Sequence, residues 1–178
     1  PGDTRITGGA AARTTPPAVA PAVELIGEQT DVIRLVRLPP DTEIRIDGHL
    51  DEAIWAQVPI LDDFVVVEPD TLQPGRHETR MQVAYDDRGL YVAALNLQPD
   101  DTLVRRLSGR DVRDNRDSFS VTVDTSGEGR YGFWFGVNLG DSLMDGTVLP
   151  ERVFSSDWDG PWYGRSQVRD DGWSVEFF

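Results

Sequence analysis

From residue 43 onward the chain is a series of short runs rich in β-branched and aromatic residues, separated by Gly/Asp turn signals. The runs fall at 64–67, 79–85, 90–97, 118–124, 131–138, 142–149, 162–168 and 173–178. Turns of the type Asp86-Asp87-Arg88-Gly89, Ser126-Gly127-Glu128-Gly129, Leu139-Gly140-Asp141 and Asp170-Asp171-Gly172 separate most of them. Glycine supplies the positive φ of tight turns, and aspartate bonds its own following amides. Short strands at such spacing predict an all-β fold, a jelly-roll-like antiparallel β-sandwich. The βαβ alternation of a doubly wound nucleotide-binding fold is absent, as are repeats of solenoid or propeller period.

The pattern changes before residue 41. Residues 8–21 are small, Pro-rich and without periodicity. Such a segment buries too little apolar surface to offset its ordering entropy and reads as an extended arm. The run 32–38, closed by Pro39-Pro40, reads as a first strand, so the expected division is 1–40 for arm and first strand and 41–178 for the sandwich. Residues 43–46 alternate and stop at Asp47-Gly48. Residues 49–57 read as one or two helical turns carrying Leu50, Ile54 and Trp55, with Asp47 as N-cap. The expected core is Ile46, Leu50, Trp55, Val83, Tyr91, Phe119, Val121, Val123 and Trp173. The chain starts at Pro1 without Met and stops at Phe178 in mid-strand, which reads as a piece of something longer.

Charge narrows the function classes. Thirty-one acidic residues face 17 basic ones, for a net charge of -14. That balance argues against nucleic acid and anionic membrane surfaces, which need a positive footprint. Residues 1–40 are neutral, so the excess lies in the sandwich. Without Cys there is no thiol catalysis, disulfide or thiolate metal site. No apolar run approaches the roughly 20 residues that span a bilayer. His49 and His77 lie in no metal-ligand spacing, and no nucleophile elbow, phosphate loop or zinc-protease motif is present. The reading is of a chain that is not an enzyme.

Several fragments in order resemble family 9 carbohydrate-binding modules: Ile46-Asp47-Gly48-His49-Leu50-Asp51-Glu52-Ala53-Ile54-Trp55, then Thr79 through Val92, Arg110-Asp111 followed by Asp117-Ser118-Phe119-Ser120-Val121-Thr122-Val123-Asp124, Phe133-Trp134-Phe135-Gly136-Val137-Asn138, and Gly172-Trp173-Ser174-Val175-Glu176. The likeness covers roughly residues 41–178. It is nearest to the variant at the N-terminus of bacterial outer-membrane barrel proteins. It implies a non-catalytic, extracytoplasmic binding module, in the periplasm or at the cell surface. Sugar-binding members grip a sugar between two Trp faces with a Glu and an Arg on its hydroxyls. The first Trp, the Glu and the Arg map onto Asp114, Ser120 and Gly136; the second Trp maps beyond Phe178. The alternative partner is a protein assembly. In that reading the chain is an accessory subunit docked through its arm, with Ile6, Pro16, Pro17, Val19 and Pro21 as contacts.

Two constellations carry candidate chemistry. The loop Asp157-Trp158-Asp159-Gly160-Pro161-Trp162-Tyr163 combines aromatic faces, which stack on sugar C–H groups, with carboxylates for hydroxyls. The same loop suits a protein hot spot or a plug closing one end of the sandwich. Asp111, Asp114 and Asp117 form an oxygen-rich cluster of the kind that holds Ca²⁺, although Arg110, Arg113 and Arg116 interleave with them and make a salt-bridged loop the other reading. Trp55 and Trp173 read as core anchors. Alternation puts Trp134 opposite its neighbours, a position open to exposure.

Overall fold

In the computed structural model, residues 33–112 and 115–178 are described. The arm contacts Ile6, Pro16, Pro17, Val19 and Pro21 lie outside those residues, as does Asp114. Among the described residues eleven strands follow in chain order: β1 Val36–Arg37, β2 Val65–Val67, β3 Asp70–Pro74, β4 Thr79–Tyr85, β5 Leu90–Leu97, β6 Ser118–Val123, β7 Gly132–Asn138, β8 Leu143–Leu149, β9 Val153–Ser155, β10 Gly164–Arg169 and β11 Gly172–Phe177. They form a five-stranded sheet of order β1-β4-β5-β11-β10, a four-stranded sheet of order β6-β7-β8-β9, and a separate β2–β3 hairpin. All pairings are antiparallel except β1 with β4.

The β4–β5 hairpin shows how the turn chemistry acts. Asp86 accepts the amides of Arg88 at 2.8 Å and Gly89 at 3.2 Å, and its own amide donates to the Gly89 carbonyl at 3.0 Å. Its carboxylate also takes Arg88 Nε at 2.8 Å and the Tyr91 hydroxyl at 3.1 Å. The Arg88 side-chain hydrogen bond leads in lowering the Asp86 pKa to about 2. The charged form therefore holds the reversal and sets the register Tyr85↔Leu90.

Alternation then sorts the side chains. Trp173, Val175 and Phe177 of β11 face the four-stranded sheet and pack with Val92, Ala94, Phe119, Val137 and Leu139. Burying each such large apolar side chain contributes roughly 1.5–3 kcal/mol. The opposite face of the five-stranded sheet carries Ala84, Tyr91 and Ala93, covered by Leu38, Ile54, Trp55 and Val58. Residues 38–58 thus wrap the outside of the sheet as a second core layer.

The wrap departs from expectation. Helix is confined there to a single 3-10 turn at Trp55–Gln57. Asp47 caps no helix; its carboxylate accepts the His49 amide at 2.9 Å in a local turn. Gln82, from β4, donates through Nε2 to the Trp55 and Val58 carbonyls at 2.5 and 2.7 Å, satisfying groups that a longer helix would use itself. Residues 43–46 join no strand, and the first strand contracts to two residues. Strands β3 and β9 were not expected. Of the expected core, Trp55, Tyr91, Phe119 and Trp173 are buried, while Ile46, Leu50, Val83, Val121 and Val123 are half-buried. Val121 and Val123 line an apolar cleft of about 250 Å³ between the sheets. Trp134 is 4% exposed rather than open to solvent. Its indole lies over Gly146, where an added Cβ would sit 2.8 Å from Nε1, and donates to the Ser155 carbonyl at 3.3 Å.

Candidate functional site

The loop between β9 and β10 carries the aromatic and acidic residues singled out above. Trp158 packs against Phe133 at 4.6 Å between ring centroids, the planes tilted by 46°, and meets Phe135 edge-on at 6.0 Å. Trp162 meets Phe135 at 5.4 Å and Phe177 at 5.5 Å. Phe177 in turn contacts Phe119 at 6.0 Å. The two indoles therefore begin a ladder of rings that descends into the core. Trp158 and Trp162 are half-buried, while Asp157, Asp159 and Tyr163 remain at the surface, Tyr163 at 67% exposure. Trp162 is the deeper of the pair. It packs against the inter-sheet core, and its Nε1 is buried without a hydrogen-bond partner among the described residues.

A buried carboxylate fixes this loop. Asp145 of β8 lies opposite Phe135 in the ladder and so shares its core-facing side. It is fully buried. One oxygen accepts Arg110 Nη2 at 2.5 Å, and the other accepts the Gly160 amide at 2.6 Å. Arg110 also donates through Nε to Asp159 at 2.8 Å. Asp111 completes the arrangement by accepting the Asp145 amide at 2.9 Å. Partial desolvation works against the Arg110 cation, but the Asp145 charge and the Asp159 hydrogen bond outweigh it and hold its pKa above the usual value. Gly160 is required by the packing of Trp158: an added Cβ would lie 2.5 Å from the indole ring.

Of the expected metal residues Asp111, Asp114 and Asp117, Asp114 lies outside the described residues. Asp117 does not join the acids that converge; it accepts the Val104 amide at 2.7 Å and Gln98 Nε2 at 3.2 Å, pinning the segment that leads into β6. Among the described residues the acids that come together are Asp111, Asp145 and Asp159, with ligand atoms within 4.8 Å of one another. Arg110 stands among them as the chain's own cation. Ca²⁺ takes six to eight oxygens, whereas both Asp145 oxygens are already engaged. This trio fits an ion-pair network better than a calcium site.

Sequence reasoning did not single out Asp145 or Glu176. Both sit on strands at positions where alternation points them into packed layers. Glu176 is fully buried beneath the wrap, and one of its oxygens accepts the amides of Asp47 at 3.1 Å and Gly48 at 3.0 Å. Ser174 donates to the Gly48 carbonyl at 2.6 Å. An acid in an otherwise apolar strand was the available signal. The positions mapped to sugar contacts, Ser120 and Gly136, do lie opposite each other across β6 and β7.

No protein-family model matches the chain, and no curated protein matches it. Two solved structures of a family 9 carbohydrate-binding module from Caldicellulosiruptor kristjanssonii are similar. One, in complex with cellotriose, has a TM-score of 0.56 at 17% identity, covering 80% of this chain and 64% of that one. The other, in complex with glucose, has a TM-score of 0.55 at 16% identity, covering 81% and 67%. The chain thus spans about two thirds of the length of these modules. Its fold is a β-sandwich of the family 9 carbohydrate-binding-module type.

Proposed function

We propose that the chain is a non-catalytic, extracytoplasmic carbohydrate-binding module whose ligand face is the loop 157–163. The observation that carries this reading is the anchor beneath the loop. The buried Asp145 ties Arg110 and the Gly160 amide together and Arg110 holds Asp159, while Ser155 Oγ donates to Asp157, so the half-exposed Trp158 and the two surface carboxylates are held before any ligand arrives. Preorganised aromatic and polar groups lower the ordering cost of binding. The sandwich type supports the same reading, since the similar solved modules are complexes with cellotriose and glucose. Polysaccharide ligands lie outside the cytoplasm, which supports the location. Family 9 membership, and a place ahead of an outer-membrane barrel, are proposals supported by the ordered motifs.

Calorimetric titration with cellotriose tests the site. Binding that disappears in Trp158→Ala, with the melting temperature kept, is the expected result. Binding unchanged by Trp158→Ala would remove the loop from the site.

A second reading, docking onto a protein assembly, is favoured by the β2–β3 hairpin. Val67 and Leu72 there are 70% and 62% exposed, and Phe64 beside them is 40% exposed. Apolar surface of this kind marks interaction sites. In that reading the neutral arm adds contacts through Ile6, Pro16, Pro17, Val19 and Pro21. Deleting residues 1–32 or replacing Val67 and Leu72 by Ser should then release the chain from its assembly; full co-purification of both variants would contradict it.

A further inference from the structure

Tyr131, just ahead of β7, is 58% exposed at one end of the four-stranded sheet. It borders two hollows of about 250 and 280 Å³ that share Tyr131, Gly132, Val148 and Leu149. Arg130, Glu151 and Arg152 line the first. Ser126, Glu128 and Phe133 line the second, and Phe133 is the ring against which Trp158 packs.

Three charged side chains of the first hollow, Arg130, Glu151 and Arg152, are uncommitted. Arg37, Arg80, Arg88, Arg110 and Arg169 each have a carboxylate partner. Among the described residues neither Arg130 nor Arg152 has an ion pair or hydrogen bond, and the Glu151 carboxylate has none either. Glu151 and Arg152 also have φ of +63° and +58°, two successive non-glycine residues in the left-handed region. Strain of this kind persists only where the surroundings enforce it. Here it turns the corner after β8 and sets both residues on the wall of the hollow.

The other wall is preformed. Asp124 accepts the amides of Ser126 at 2.8 Å, Gly127 at 3.0 Å and Gly129 at 2.5 Å, so the loop 124–129 is ordered by its own carboxylate. A Cβ at Gly127 or Gly129 would meet nothing within 4 Å, which leaves this wall open to a ligand.

We propose that the Tyr131 groove is a second glycan subsite, taking a neutral oligosaccharide chain with one sugar ring against Tyr131. Adjacent sugar hydroxyls both donate and accept, which matches free guanidinium donors beside a free carboxylate acceptor; the C–H face of the ring matches the phenol. A neutral chain is specified because a body of net charge -14 repels polyanions. This inference rests on the carbohydrate reading of the loop 157–163 and adds an extension for longer chains.

The test is calorimetry with tri- and hexasaccharides of the cello, xylo, manno and laminari series, on wild type, Tyr131→Ala, Arg152→Ala and Trp158→Ala, with melting curves for each. Two linked subsites should make the preferred hexasaccharide bind at least about tenfold more tightly than its trisaccharide. Tyr131→Ala and Arg152→Ala should bring the hexasaccharide down to the trisaccharide affinity and leave the trisaccharide unchanged. If both variants bind the hexasaccharide as wild type does while Trp158→Ala loses both ligands, the second subsite is wrong and the first stands. If wild type binds no member of the panel, both are wrong.

Discussion

Glu176 is the residue whose energetics are most exposed to measurement. Burial pushes its pKa up to about 7, against the pull of the Asp47 and Gly48 amides. A carboxyl whose folded pKa lies above its unfolded value binds its proton more tightly when folded. Its contribution is therefore fully present below about pH 4.5 and lost as pH rises through 7. At about 1.4 kcal/mol per pKa unit, the contribution is on the order of 3 kcal/mol. Glutamine keeps the acceptor for both amides and carries no charge. Urea midpoints at pH 5 and pH 8 should thus differ more in wild type than in Glu176→Gln, and the variant should be the more stable at pH 8. Equal pH slopes in the two proteins would refute this account of the wrap. Asp145→Ala poses a complementary case. Removing one partner of a buried pair costs 3–5 kcal/mol when the other charge stays buried, but the Arg110 side chain is 40% exposed and can turn to water. A loss of about 1–3 kcal/mol is expected, read as a fall of several degrees in melting temperature.

At the scale of elements, the Trp loop depends on a glycine. In Gly160→Ala the new methyl meets the Trp158 indole at 2.5 Å, so the ring must leave Phe133. Near-UV circular dichroism should lose the signal of the packed Trp158–Phe133 pair while the far-UV spectrum stays that of the sandwich. An unchanged near-UV spectrum would mean that the ring is not seated as described. The hairpin β4–β5 was legible in the sequence because its alternation and its Asp86–Gly89 turn are local. The residues of the loop 157–163 were legible for the same reason, as a dense local cluster. The wrap was not. An amphipathic stretch at 49–57 reads as helix until Gln82, distant in sequence, takes its Trp55 carbonyl and Glu176 takes the Asp47 and Gly48 amides just ahead of it. Trp134 is buried by Gly146 of β8 and Ser155 of β9, neither of them local to it in sequence. Asp145 was hidden by the abundance of acids, although its place between the core-facing Leu143 and Thr147 set it apart.

For the molecule as a whole, a sandwich this acidic invites divalent cations, yet the convergent trio Asp111, Asp145 and Asp159 is already neutralised in part by Arg110. Adding EDTA should leave the melting temperature unchanged; a drop of several degrees would place a structural cation in the acidic loop that includes Asp114. In the proposed binding mode one aromatic loop faces the ligand while the other indoles are structural. An NMR titration of the ¹⁵N-labelled chain with cellotriose reads this through the five indole N–H signals. Trp158 should shift most, Trp162 less, and Trp55, Trp134 and Trp173, which are buried, should stay in place. Five unmoved signals at saturating cellotriose, or shifts confined to the three buried indoles, would contradict it.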